Sequence, residues 1–201
     1  MANPNRPSGL LPTRYLNGSP WNGQVRTYFI DSGDGNAFAI GDPVTLSGSG
    51  DGNGIAGVTL ATAGTGNPVL GAIVGLGGVT YGAAFADPNN LFSGTLIPAT
   101  KTKGYYVAVA DDPNIIFVVQ EGGAHAALDK AYIGVNANLL SGTNNGYVSG
   151  WLFNNNTTAT TNTLQLQLLG LAQTEDNVFG TYAKWEVRIN NHCFKAGTAG
   201  V

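Results

Sequence analysis

Charge is scarce in this sequence. Twelve acidic and nine basic residues among 201 make a charged fraction of 10%, against about 25% in an ordinary globular domain. The nine cations are scattered and the net charge is −3. No groove that neutralises several phosphates is expected, and so no nucleic-acid partner. Cysteine is nearly absent: Cys193 stands alone, which excludes an internal disulfide and a cysteine-based zinc site and suits a chain made in a reducing cytoplasm. The longest apolar run, residues 68–79, is too short and too glycine-rich to span a bilayer as a helix, so no membrane partner is expected. The first seven residues carry no apolar stretch, and a secretory signal is not expected. Helix-forming residues do not dominate together, no βαβ alternation is visible, and no solenoid-length repeat is found.

What the chain has is glycine, 30 of 201, with Asn, Thr and Ser supplying most of its polarity beside a 43% hydrophobic fraction. That composition describes strands separated by many turns. The length suits one domain, or two very small ones. It lets the chain bury roughly 70% of its unfolded surface without staples.

Residues 1–24 stand apart. Pro4, Pro7, Pro12 and Pro20 exclude a helix or a central strand, yet Leu10, Leu11, Tyr15, Leu16 and Trp21 are more apolar than a linker needs. The segment reads as an extended arm docked on its own body or on another chain. Strand signals begin at Val25–Ile30 and continue over 37–46, with a kink at Gly41-Asp42-Pro43, then over 55–61 and 69–76. Residues 47–54 and 154–162 read as polar low-complexity loops, and 87–96 as a long irregular loop. The runs 105–110 and 115–120, separated by Asp111-Asp112-Pro113-Asn114, read as a hairpin with a four-residue turn. Residues 123–130 are the only helical stretch in view. Strict alternation marks 163–168 and 184–189 as half-buried strands, with Trp185, Val187 and Ile189 facing inward. About ten short strands at turn spacing predict an all-β fold. The expected form is a single β-barrel or β-sandwich, jelly-roll-like, with an extended N-terminal arm over 1–24, a body over 25–192, a tail over 193–201 and at most one short helix. Its predicted core includes Phe29, Val44, Leu46, Ile73, Val107, Val109, Ile116, Val118, Leu164, Leu166, Leu168, Trp185, Val187 and Ile189.

Groups that carry chemistry are few. His125 precedes Asp129 by one helical turn but has no nucleophile beside it, and it reads as an exposed loop residue. His192 and Cys193 are adjacent, so on a strand they face opposite ways and form no dyad. Asp111, Asp112 and Glu121 fit turn chemistry at the ends of a hairpin better than a carboxylate pair. The run 48–54 lacks both the Lys-Ser/Thr of a phosphate loop and the ligand spacing of a calcium loop. Asn155 and Asn156 begin Asn-x-Thr sequons, for which no glycosylation is expected without a secretory route. No catalytic residue, metal ion, cofactor or small-molecule substrate is therefore expected. Trp21, near arginine in a proline-rich arm, has the character of an interface anchor.

Several strings, taken together and in order, resemble blocks of one known group. Asn5-Arg-Pro-Ser-Gly-Leu-Leu-Pro-Thr-Arg-Tyr-Leu-Asn-Gly-Ser-Pro-Trp-Asn-Gly23 is similar to the start of a group of tailed-bacteriophage structural proteins. Ala39-Ile-Gly-Asp-Pro-Val-Thr-Leu46, Val69-Leu-Gly-Ala-Ile-Val-Gly75, Ala110-Asp-Asp-Pro-Asn-Ile-Ile-Phe-Val-Val-Gln-Glu121 and the stretch Asp176-Asn-Val-Phe-Gly-Thr-Tyr-Ala-Lys-Trp-Glu-Val-Arg-Ile-Asn-Asn-His192 resemble its later blocks. The resemblance is to head decoration, or cement, proteins. It implies a non-catalytic virion protein on the outer capsid surface, made in the host cytoplasm. Its partner would be the major capsid protein, and its own state a homotrimer, with a dimer as the alternative. A tail or fibre-base component and a β-sandwich carbohydrate-binding module are the rival readings. The residues expected to meet the capsid or a neighbouring subunit are those of the arm: Arg6, Leu10, Leu11, Arg14, Tyr15, Leu16 and Trp21.

Overall fold

A computed structural model describes residues 3–77 and 95–200. All but the last two positions of the loop expected at 87–96, and the end of the 68–79 run, lie outside them. The described strands are β1 (Leu11–Tyr15), β2 (Arg26–Ile30), β3 (Phe38–Ala39), β4 (Pro43–Gly50), β5 (Ala56–Leu60), β6 (Gly71–Leu76), β7 (Leu96–Ile97), β8 (Tyr105–Ala110), β9 (Ile115–Gln120), β10 (Asn136–Leu140), β11 (Leu152–Ala159), β12 (Leu166–Leu171) and β13 (Lys184–Ile189). The fold is all-β. Its one helical element among the described residues is a 3-10 turn at Lys130–Tyr132, capped by the Asp129 carboxylate. The predicted helix over 123–130 does not form.

Two bodies share the chain. Strands β2, β5, β4, β6 and β8 close a barrel, and β1, β9, β13, β12, β10 and β11 form a sheet in that order. The sheet curls until Phe153 of β11 forms a parallel bridge with Glu121, just past β9, sealed by the Gly122 amide donating to the Phe153 carbonyl at 2.9 Å. Each body has its own core. Val44, Val58, Ile73, Val107 and Val109 fill the barrel, whereas Phe117, Phe153, Leu166, Trp185 and Val187 fill the sheet. Small side chains let the two meet: Ala72 and Ala110, alternating along β6 and β8 with the branched residues inside the barrel, lie in the sheet's core cluster.

The predicted hairpin at 105–120 is a correction. Strand β8 pairs with β2 and β6, and β9 with β1 and β13. The turn at 111–114 therefore carries the chain from barrel to sheet instead of folding it back. Asp112 shapes the turn by accepting from the Asn114 amide at 2.8 Å. Asp111 fastens it to the barrel, accepting from the Tyr28 hydroxyl at 2.6 Å with Arg26 Nε 3.5 Å away. The two expected polar loops are largely strand: β4 runs to Gly50 and β11 spans Leu152–Ala159. Three residues of the predicted core lie nearer the surface. Phe29 and Val118 are half-buried because their strands turn Tyr28, Ile30, Phe117 and Val119 inward, and Leu46 is 38% exposed on β4.

Close approach demands glycine at the seam. Gly9 has φ +69°, and a Cβ there would lie 2.0 Å from the Gly41 carbonyl oxygen and 2.6 Å from Ser149 Cβ. Gly18 has φ +88° but open space around it. Gly9→Ala is expected to cost about 3 kcal/mol or more, since backbone must move as well as adopt a left-handed conformation. Gly18→Ala is expected to cost about 1–2 kcal/mol, the conformational part alone. Chemical denaturation of the two variants side by side checks the difference.

Candidate interaction surface

The N-terminal segment is built into the sheet. Strand β1 runs antiparallel to β9 with a bulge between Pro12 and Arg14, a position proline tolerates because β1 lies at the sheet edge. The free side of that edge is met by the chain's own return: Trp21 N donates to Thr13 O at 3.0 Å and Tyr15 N to Ser19 O at 2.8 Å.

The seven arm residues then separate. Leu10 is fully buried in the sheet's core. Arg14 pairs with Glu186 on β13. Tyr15 and Trp21 are half-buried against the same core. The Tyr15 hydroxyl lies 3.2 Å from Asn22 Oδ1, and Trp21 Nε1 donates to the Gln24 carbonyl at 3.4 Å. Leu11 is 37% and Leu16 49% exposed, and Arg6 is exposed. Of the seven, Arg6, Leu11 and Leu16 are the ones presented outward.

Beside Arg6 and Leu11 lies a groove of about 590 Å³, lined by residues from 5–11 and from 143–150 together with Lys184. Both walls are fixed by amide side chains. Gln120, opposite Lys184 in the β9–β13 register, accepts from Arg6 N at 2.8 Å and donates to Asn5 Oδ1 at 2.8 Å. Asn145 Oδ1 accepts from Tyr147 N at 3.0 Å and Val148 N at 2.9 Å, and Ser149 N donates to Ile40 O at 2.8 Å. Beneath this wall Asp42 is buried, accepting from Ala39 N at 2.8 Å; burial pushes its carboxyl above the ordinary value.

Several of the other titratable groups hold loops. Glu121 is fully buried and accepts from Leu128 N at 3.0 Å, Asn155 Nδ2 at 3.0 Å and Trp185 Nε1 at 3.2 Å. Its carboxyl is raised by burial. Lys101 Nζ donates to the carbonyls of Asn36 and Pro98 at 2.7 and 3.2 Å, and burial lowers its ammonium. The Tyr106 hydroxyl, 2.6 Å from Asp51 Oδ2, holds the Asp51 carboxyl down at about 2; Asp51 in turn closes the 51–55 turn, accepting from Ile55 N at 2.7 Å. His192 is buried between barrel and sheet, its Nδ1 accepting from Phe194 N at 3.0 Å, and burial lowers its imidazolium. Cys193 is half-buried near Thr45. His125 is exposed in the 123–129 loop. Asp111, just past β8, and Glu121, just past β9, serve different contacts and form no carboxylate pair.

Compared with known protein families, with curated proteins and with solved structures, the chain matches none. Of the residues lining the groove, the sequence reading named only Arg6 and Leu11; Lys184, Val148 and the rest of the 143–150 wall it missed. The outward row Lys184, Glu186, Arg188 was visible in the alternation of β13, but not which member would be left unpaired.

Proposed function

We propose that this protein is a structural virion component that binds the outside of a tailed-phage capsid and stabilises it by bridging capsomers, acting without catalysis or cofactor. The observation that carries the reading is the state of the arm. Leu10 anchors it in the protein's own core while Leu11, on the strand held by β9, and Arg6 and Leu16, before and after that strand, remain at the surface. A rigid edge with exposed aliphatic side chains is preorganised for docking and loses little entropy on binding. The commitment of Glu121, Lys101, Asp51 and Asp111 to the chain's own loops favours a scaffold over an active site. The blocks resembling decoration proteins supply the kind of partner, and the homotrimer rests on that resemblance as well. Both edges of the sheet meet the chain's own backbone, so edge protection adds nothing to the case for a trimer. The carbohydrate-module reading loses support from Trp151 and Trp185, which lie in the core and not on a sugar-facing platform.

The test is to add the purified protein to capsids of the encoding phage that lack it. Saturation at copy numbers matching capsomer contacts, with raised resistance to heat or low salt, is the expected result. Binding of a few copies at the tail vertex, or none, would replace this reading with one of its rivals.

A further inference from the structure

We propose that the groove between residues 5–11 and 143–150 takes an extended segment of a partner protein in which a carboxylate adjoins an aliphatic side chain. The identity of that partner as a capsid subunit rests on the function proposed above; the chemistry of the groove does not.

The charge argument starts on β13. Its outward row is Lys184, Glu186 and Arg188. Glu186 is taken by Arg14, and Arg188 donates to Gln167 Oε1 at 2.7 Å and contacts Thr198. Lys184 is left over, and among the described residues neither it nor Arg6 forms an ion pair. Both line the groove, whose lining among the described residues contains no carboxylate, although the chain as a whole is acidic. Glu175 and Asp176 lie in a neighbouring depression of about 220 Å³ that shares Arg6 and Lys184, so the two cations separate an acidic side from an uncharged one. A partner carboxylate is favoured on the uncharged side, where it meets both cations and, among the described lining residues, no exposed carboxylate.

The geometry adds order. Gln120 fixes the backbone at Arg6, and Asn177 brackets that of Lys184, accepting from its amide at 2.8 Å and donating to its carbonyl at 2.7 Å. Each cation thus projects from backbone held by an amide side chain, which lowers the cost of ordering the site on binding. Leu11 and Val148 supply the apolar walls. Because β1's free edge is already met by residues 19–21, the partner is read through its side chains and not by strand addition.

The probe is a blocked hexapeptide of alternating aspartate and leucine, compared with one of alternating lysine and leucine. Each is titrated into the full-length isotope-labelled protein by NMR. The aspartate peptide is expected to shift the amides of Ser8, Leu11, Val148 and Ser149 saturably, with a Kd of about 1 mM or tighter. Affinity should fall about tenfold between low salt and about 0.5 M salt. Arg6→Gln with Lys184→Gln should abolish the shifts, and Leu11→Ser should weaken them. Arg6→Gln alone, at an exposed position, covers the case in which the double variant melts early. Equal binding of the lysine peptide, or no shift at these amides with either peptide, overturns the proposal whatever the capsid assay gives. A groove that binds the aspartate peptide in a protein that ignores capsids upholds this inference and removes the virion reading.

Discussion

Deleting residues 1–24 is expected to leave a chain that does not reach the native fold. The segment contributes Leu10, fully buried among the sheet's core residues, and β1, paired along β9. It also contributes Asn3, whose side chain donates to Val178 O at 2.8 Å and Thr181 O at 3.1 Å and accepts from Val178 N at 3.0 Å. That last contact holds the loop before β13, where Tyr182 adopts φ 64°, a conformation non-glycine residues keep only when their surroundings enforce it. Leu10→Ala alone should cost about 2–5 kcal/mol, a large part of the about 5–15 kcal/mol that stabilises a typical domain. For a chain of this size that is a fall in Tm of roughly 5–20 °C. Size-exclusion chromatography and circular dichroism of the truncated chain decide the matter. A soluble, β-rich, cooperatively melting product would show that the segment is an appendage. The capsid attachment proposed above is therefore better probed with Leu11, Leu16 and Arg6 substitutions, which leave the core intact.

Glu121→Ala is expected to be the most damaging single polar substitution. It strips the acceptor from the Leu128 amide and the Trp185 indole at once and takes one acceptor from Asn155 Nδ2, which keeps the Ala126 carbonyl at 3.1 Å. Leaving such donors unpaired costs about 1–3 kcal/mol each, offset in part by removing a buried charge, so a loss of about 3 kcal/mol or more is expected. The loop at 122–128 should become protease-sensitive. Glu121→Gln keeps one oxygen for Leu128 and Asn155 but sets its amide against the Trp185 N–H, and should cost less.

The two variants also report the sign of the pH dependence. Burial raises the Glu121 carboxyl above its unfolded value. Protonation therefore stabilises the folded state: this contribution is fully present below the unfolded value of about 4.3 and is lost as pH rises through the folded value. The stability of the wild type relative to Glu121→Gln should increase as pH falls toward 4. Denaturant melts of both proteins at several pH values test it, and a difference that stays flat or reverses would show that Glu121 is not held this way.

The sequence by itself determined the parts of this protein that depend on local period and turn chemistry. The alternation over 184–189 placed Trp185, Val187 and Ile189 inside, because successive side chains on a strand must face opposite ways. Gly41-Asp42-Pro43 reads as a kink within one strand, where the chain in fact leaves β3 for β4 in another sheet, and the composition argues against long helices. What only the tertiary structure decided is where polar side chains go. Gln165, set by its alternation to face out, is fully buried. It accepts from Gly64 N at 3.0 Å and Leu139 N at 3.1 Å and donates to Thr62 O and Asn67 O at 2.8 and 3.1 Å, joining barrel loop to sheet. Asn155, in a run that reads as loop, is buried on Glu121. The four residues 111–114 fit a hairpin locally, yet they cross between bodies because both neighbouring strands find longer-range partners. An amide satisfied by four backbone groups looks in sequence like an amide satisfied by water. The difference lies in partners some 26 to 103 positions away, which no local pattern encodes.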